Sequence, residues 1–254
     1  MSIQVQKKRF EIHPYDQGIA SLHRLIQSNL SKKNSELIQK YDREMVKNSL
    51  AKATRRKQLE VILMQSRMLN KDWDGATKED IDDLVYQIIQ KYSPDSGQET
   101  NSTWDHKKIL KIFFRWLKFG SREYRHVGDP EETKFIRLKP VRSKIVREHL
   151  ITKEDFEKLT RGCNGNLRDM AMLHVQYEAG TRPGELLSLK LKHIKFDQYG
   201  AVIHVDGKTG PRPIRLVTSV PSLAAWFDAH PLKDNLESPL WIKLDKNHYG
   251  EPLT

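Results

Sequence analysis

Apolar residues recur at helical spacing through most of this chain and give way to short β-branched runs beyond residue 190. Residues 19–29 and 35–49 read as helices within a polar lead-in spanning residues 1–48. Over residues 50–70, Leu59, Ile62, Leu63 and Met68 fall near one face and predict a helix, with Lys52, Arg55, Arg56 and Lys57 crowding its first turns. Thr77 opens the next helix as its N-cap, and Asp80 three residues on completes a variant of the capping box. That helix carries Ile81, Leu84, Val85, Ile88 and Ile89 and ends at the break Ser93-Pro94-Asp95-Ser96-Gly97. Residues 103–120 give the clearest stripe: Ile109, Ile112, Phe113 and Trp116 recur at i, i+3, i+4 and i+7.

Periodicity stops over residues 128–149, where Pro130, Pro140 and a string of cations read as an extended basic linker. It resumes with Thr152 as an N-cap and Asp155 at the third position of a short helix. Residues 166–179 form a second helix with Met170, Leu173, Val175 and Tyr177 as its apolar face and Gly180 as its C′ residue. Thr181 is expected to cap a third helix that has Pro183 in its first turn and runs to about Leu189. Three short strands follow at 193–196, 201–205 and 212–217, the last two joined by the turn Asp206-Gly207-Lys208-Thr209-Gly210. Residues 221–230 read as a helix and 241–244 as a further short strand. The chain is therefore expected to be mainly α with a small antiparallel β-sheet. Its expected parts are a helical lead-in (1–48), a helical domain (49–127), a basic linker (128–149) and an α+β domain (150–254).

Composition narrows the class. A length of 254 residues suits two domains, and 37% hydrophobic residues with five Trp supply packed cores. No apolar run approaches the roughly 20 residues of a membrane span, and the first ten residues lack the apolar core of a signal peptide. Cys163 is the one cysteine, which leaves no disulfide framework and no cysteine-based zinc site. A cytoplasmic protein with no membrane association is expected.

Charge adds a direction. Of the net +11, residues 1–148 hold 30 Lys/Arg against 20 Asp/Glu, and residues 149–254 hold 14 against 13. The asymmetry reads either as a polyanion-binding first half or as a soluble basic surface. Lys108, Lys111, Arg115, Lys118 and Arg122 stack along one face of the 103–120 helix and beyond it, with no acid on that face until Glu123. Like charges on adjacent turns repel, so this face meets either phosphates or bulk solvent. Arg55, Arg56 and Lys57 on the earlier helix, and Arg142, Lys144 and Arg147 in the linker, complete the candidates for DNA contact.

The second half carries the chemistry. The run Ala179-Gly180-Thr181-Arg182-Pro183-Gly184-Glu185-Leu186-Leu187-Ser188-Leu189 puts an arginine at a helix opening, and the later turn puts Lys208 at a hairpin tip. A guanidinium donates two parallel hydrogen bonds to phosphate oxygens and stays charged. A lysine whose pKa can fall protonates a leaving oxygen. A helix start adds backbone N–H groups near any bound anion. Each residue also has an ordinary reading: Arg182 as a surface ion pair, Lys208 as a solvated turn residue, and Glu185 as the partner that merely bridges Arg182.

Taken together, the second half resembles the catalytic domain of tyrosine recombinases, the phage integrase family. The resemblance runs over residues 150–254 through Leu150-Ile151-Thr152-Lys153-Glu154-Asp155, Arg168-Asp169, Tyr177 to Leu187, and Gly207-Lys208-Thr209-Gly210. Order and spacing match the family's first arginine box and its β-hairpin lysine. Residues 49–140 resemble, by helix count and charge, the SAM-like helical core-binding domain that precedes it. Val220-Pro221-Ser222-Leu223 is similar to archaeal integrases. The resemblance implies site-specific DNA recombination or integration. Arg182 would be the first catalytic arginine, Glu185 would support it, and Lys208 would protonate the leaving 5′-oxygen. A tyrosine would attack to give a 3′-phosphotyrosine link. It also implies no metal and no cofactor, double-stranded DNA clamped between the two domains, and a tetramer on DNA for the full-length protein.

The resemblance then departs from the family. None of the ten histidines is followed three residues later by arginine, and Tyr249 precedes the place of that box. The chain is expected to stop before the His-x-x-Arg box, to contain no nucleophile, and to bind DNA without cleaving it. A non-catalytic DNA-binding protein derived from an integrase is the alternative function, and a basic adaptor without sequence preference is a third.

Overall fold

The computed structural model describes residues 14–94, 98–141, 147–207 and 210–253. The chain divides between two compact units, Pro14–Lys144 and Ile145–Thr254.

The first unit is helical. It comprises α1 (Tyr15–Asn29), α2 (Lys32–Lys47), α3 (Lys52–Leu69), α4 (Lys78–Tyr92), α5 (Asn101–Phe119), α6 (Tyr124–Val127) and α7 (Glu131–Lys134). Local chemistry starts several of them. The Ser31 hydroxyl accepts from Asn34 N at 3.1 Å at the head of α2. Thr77 and Asp80 form the expected reciprocal box on α4, and Thr100 with Thr103 forms a second on α5. The core is built from Ile26, Ile38, Tyr41 and Met45 as much as from Leu59, Ile62, Leu84 and Leu110. Residues 14–47, set apart by their polar pattern as a lead-in, thus share the core of the helices that follow. Trp73 sits fully buried at the centre, with its ring edge-on to Phe113 at 5.1 Å and to Phe114 at 5.8 Å. Its indole N–H donates to Ser66 Oγ at 2.7 Å, which meets the requirement that a buried polar atom find a partner.

The segment expected as an extended linker begins differently. Pro130 starts α7, and Thr133 and Ile136 are buried beside α4 and α5. A run that looks polar in sequence is anchored by these two side chains.

His106 on α5 is buried, its ring packs on Tyr92 at 4.6 Å between centroids, and its Nδ1 has no hydrogen-bond partner among the described residues. Burial holds its pKa down at about 4; Asp105 opposes this, and Lys91 and Lys57 add to it. The unfolded chain takes up this proton near the ordinary value of 6.5. The folded chain refuses it until about pH 4. Stability from this group is complete above pH 6.5 and is lost as pH falls toward 4. Urea unfolding at a series of pH values should show this acid loss in the wild type and a flatter profile across that window in His106→Phe. Equal acid loss in both would contradict the assignment.

The second unit contains α8 (Lys153–Gly162), α9 (Leu167–Ala179), α10 (Pro183–Leu187), β1 (Ile194–Asp197), β2 (Gly200–Gly207), β3 (Gly210–Leu216) and α11 (Val220–Ala229). The strands form one antiparallel sheet in the order β1-β2-β3, with Ile203 opposite Ile194 on one side and Ile214 on the other. The fold is mostly helical with a small antiparallel sheet, as the sequence pattern implies. Ala201, Ile203 and Val205 point inward from β2 at period two, while His204 and Asp206 face solvent. Pro211 and Pro213 lie two apart on the edge strand β3 and remove two N–H donors from it, which discourages pairing by another strand.

The expectations for α9 and for residues 241–244 are corrected. The apolar face of α9 is Ala171, Met172, Val175 and Ala179; Met170, Leu173 and Tyr177 also recur at helical spacing but share the opposite side of the helix, so of the expected residues Val175 alone lies on the packed face. Tyr177 is exposed and stacks on Phe156 of α8 at 4.0 Å. Residues 241–244 form no strand of the sheet; Ile242 makes one isolated bridge to Pro252. Trp241 is fully buried and donates its indole N–H to Leu186 O at 2.9 Å, which seats α10 on the core.

Candidate phosphate and nucleic-acid interface

The site begins where α9 ends. Gly180 takes the left-handed conformation at φ 58°, which a side chain would disfavour, and closes the helix through its N–H to Gln176 O at 3.1 Å. Thr181 then turns inward. Its hydroxyl donates to Gln176 Oε1 at 2.7 Å, and its carbonyl accepts from Gln176 Nε2 at 2.7 Å. This removes Thr181 as the cap of the next helix. Arg182 occupies the N-cap position with extended backbone, and Pro183 follows in the first turn. The helix it opens, α10, is five residues long and ends at Leu187, short of the expected Leu189.

Glu185, one turn into α10, is the centre of the site. It is 2% exposed, yet its carboxylate collects four N–H donors. Oε2 accepts from Arg182 N at 3.1 Å and Oε1 from Arg182 Nη1 at 2.8 Å. Arg212 on β3 closes on the same group from the other side, with Nη1 to Oε1 at 3.0 Å and Nη2 to Oε2 at 2.7 Å. Sheet register brings Arg212 there: it pairs with inward-facing Val205, two residues before Gly207. A Cβ on Gly207 would meet Glu185 Cδ at 2.8 Å and Cγ at 2.9 Å, so the carboxylate fills the space that glycine leaves. The Arg212 hydrogen bonds, followed by the Arg182 backbone N–H, hold the Glu185 pKa at about 2. The Arg182 side chain is 59% exposed and that of Arg212 is 38% exposed. Two guanidinium groups against one carboxylate leave the cluster with a net positive charge that faces solvent.

A second carboxylate braces this unit. Glu178 near the end of α9 accepts from the N–H groups of Val217, Thr218 and Ser219 at 2.8, 3.1 and 2.8 Å and from Ser219 Oγ at 2.5 Å. Burial pushes its pKa up, but the Ser219 hydroxyl and the three amides outweigh that and hold it at about 2. The bonds tie α9 to the start of α11.

Arg182 and Glu185, both singled out by the sequence pattern, are joined in the structure. Arg212 was not singled out, since its only sequence signal is its position in a strand following the hairpin. Lys208 lies outside the described residues, as do Arg142, Lys144 and the side chain of Arg147.

The cationic stripe of the first unit resolves into two groups. Lys111 Nζ meets Asp129 Oδ2 at 2.8 Å and Arg115 Nε lies 3.3 Å from Asp129 Oδ1, with all three side chains 10–12% exposed. Lys118 pairs with Glu132 at 2.5 Å. Arg122 donates to Gln58 Oε1 at 3.0 Å and to Tyr41 at 3.3 Å. The expectation of a bare cation face is therefore corrected. The acids that neutralise it come from the segment around α7, which the helix's own sequence could not reveal. On α3, Arg55 grips Asp42 through two bonds at 2.9 and 2.8 Å, and Lys57 pairs with Asp105.

Arg56 and Lys108 remain. Both are exposed and make no ion pair with a carboxylate among the described residues. Lys108 instead lies over the Trp104 ring at 4.6 Å. It borders a shallow depression of about 460 Å³ that is also lined by Ile112, Arg122, Tyr124 and Arg125. Exposed Arg125, one turn beyond Arg122, belongs to this surface and continues the spacing of the Lys108–Arg122 stripe past the end of the 103–120 helix. Among the described residues no group of three His, Cys, Asp or Glu is placed to hold a metal ion. No described helix is long and apolar enough to cross a membrane.

No family model matches the sequence, and no curated protein matches it. Solved structures do match. One is a lambda integrase dimer bound to a COC′ core site, 15% identical, with a TM-score of 0.62, covering 92% of this chain and 63% of that one. Another is the XerH site-specific recombinase bound to its difH substrate in a pre-cleavage complex, 14% identical, with a TM-score of 0.54, covering 97% of this chain and 76% of that one. This chain has the fold of these integrases and recombinases. It spans a little under two thirds of the lambda integrase chain.

Proposed function

We propose that the protein is a site-specific DNA recombinase of the tyrosine class and archaeal type, that these residues supply its DNA-binding surface and the Arg182 part of its active site, and that the full-length protein works as a tetramer on DNA. The observation that carries this reading is the Arg182–Glu185–Arg212 cluster on a fold shared with recombinases solved on DNA. Charged donors fixed in advance stabilise a phosphoryl transition state without reorganising. Arg182 uses Nη1 on Glu185 and keeps Nη2 and Nε for non-bridging phosphate oxygens. In this reading Lys208 gives its proton to the 5′-oxygen as the phosphorus–oxygen bond breaks and a tyrosine oxygen takes its place on phosphorus. These 254 residues contain no His-x-x-Arg box, so the second arginine and the nucleophile are assigned to residues beyond them. In the first unit, Arg56, Lys108 and Arg125 contact the duplex backbone, while Lys111, Arg115 and Lys118 hold the fold.

The chain is expected to shift duplex DNA in a gel and to leave no covalent adduct on a nicked suicide duplex after denaturation. A denaturation-resistant adduct would overturn the assignment of the nucleophile, and absence of any shift would overturn the DNA reading.

A further inference from the structure

We propose that Arg212 is a positioning residue of this site: it occupies the buried Glu185 carboxylate and thereby leaves Arg182 free to donate to a phosphate. The inference rests on the reading of Arg182 given above.

Donor and acceptor counts lead to this role. A carboxylate offers about four acceptor positions, and Glu185 has four N–H donors on it, two from Arg182 and two from Arg212. It cannot relax into water, because it is 2% exposed and packed into the space above Gly207. A buried carboxylate stripped of partners is costly, so it takes the nearest cation. Without Arg212 that cation is Arg182, whose guanidinium matches a carboxylate as well as it matches a phosphate. The pair would then close on itself, with zero net charge and its donors turned inward. With Arg212 present the cluster carries one net positive charge, and the outward half of Arg182 is unspent. Lysine at 212 could not take over, since a point charge cannot bridge both carboxylate oxygens in a fixed fork.

The test uses the full chain and a labelled random-sequence duplex of about 30 base pairs, titrated at several salt concentrations. Arg212→Met is expected to weaken binding about tenfold and to make the log–log salt slope shallower by about one, as Arg182→Met does. Adding Glu185→Gln to Arg212→Met removes the competing charge and is expected to restore binding to within about threefold of wild type. Adding Asp234→Asn instead restores the same net charge at an exposed residue in the loop after α11 and is expected to restore nothing. If Arg212→Met fails to fold by circular dichroism, Arg212→Lys carries the same test, with a partial loss recovered by Glu185→Gln. Wild-type affinity in Arg212→Met, no recovery with Glu185→Gln, or recovery with Asp234→Asn would each overturn the proposal. If Arg182→Met itself leaves binding unchanged, the reading of Arg182 fails, whatever Arg212 does.

Discussion

Replacing Trp241 by alanine is expected to destabilise the second unit by about 3–5 kcal/mol, the usual cost of emptying a fully buried indole site. Trp241 is 0% exposed, and its N–H is the donor to Leu186 O. Leu186 lies on α10, the helix that carries Glu185. The loss therefore reaches the site as well as the core: α10 loosens and the Arg182 cluster loses its support. Trp241→Phe keeps most of the apolar volume and leaves Leu186 O without this donor, at an expected cost of about 1–2 kcal/mol. Urea unfolding of the two variants separates packing from hydrogen bonding. A Trp241→Ala loss below about 1 kcal/mol would show that α10 is held by something else.

The second large effect divides the cations of the first unit. Removing both Lys111 and Arg115, as Lys111→Met with Arg115→Met, strands Asp129 at 10% exposure without its two partners. Breaking a buried ion pair from one side costs about 3–5 kcal/mol, so this variant is expected to unfold at much lower urea. The triple change Arg56→Gln, Lys108→Gln and Arg125→Gln touches exposed groups and should move stability by no more than about 0.5 kcal/mol. It should instead make the salt slope of duplex binding shallower by about two to three, at about 0.9 for each phosphate no longer neutralised. The reverse outcome, with DNA binding tracking Lys111 and Arg115 in a stably folded protein, would return the stripe to the phosphate-facing role that its spacing suggests.

Features fixed within three or four residues were legible in the sequence. Thr77 with Asp80, Thr152 with Asp155, and Gly180 at the end of α9 stand where cap chemistry puts them. The hairpin strands and the Arg182–Glu185 pair are equally local. Partners set by tertiary placement were not legible. Asp129 neutralises Lys111 from eighteen positions along the chain, and Arg212 reaches Glu185 only through the register of β3 on β2. Thr181 and Arg182 are adjacent, and a preference for threonine at a cap outranks arginine in any propensity scale. The hydrogen bond to Gln176 takes Thr181 away from that role. The face of α9 was misread because 170, 173 and 177 recur at helical spacing just as 171, 175 and 179 do, so periodicity offers two faces and packing selected the second.

The central claim is that this fold presents exposed cations to the DNA backbone. Its most direct test is the equilibrium affinity of the unmodified chain for duplex DNA as a function of salt. With Arg56, Lys108, Arg125 and Arg182 on phosphates, the slope of log affinity against log salt is expected to be about −3 to −4 or steeper. A slope near zero, or no binding at low salt, would contradict it.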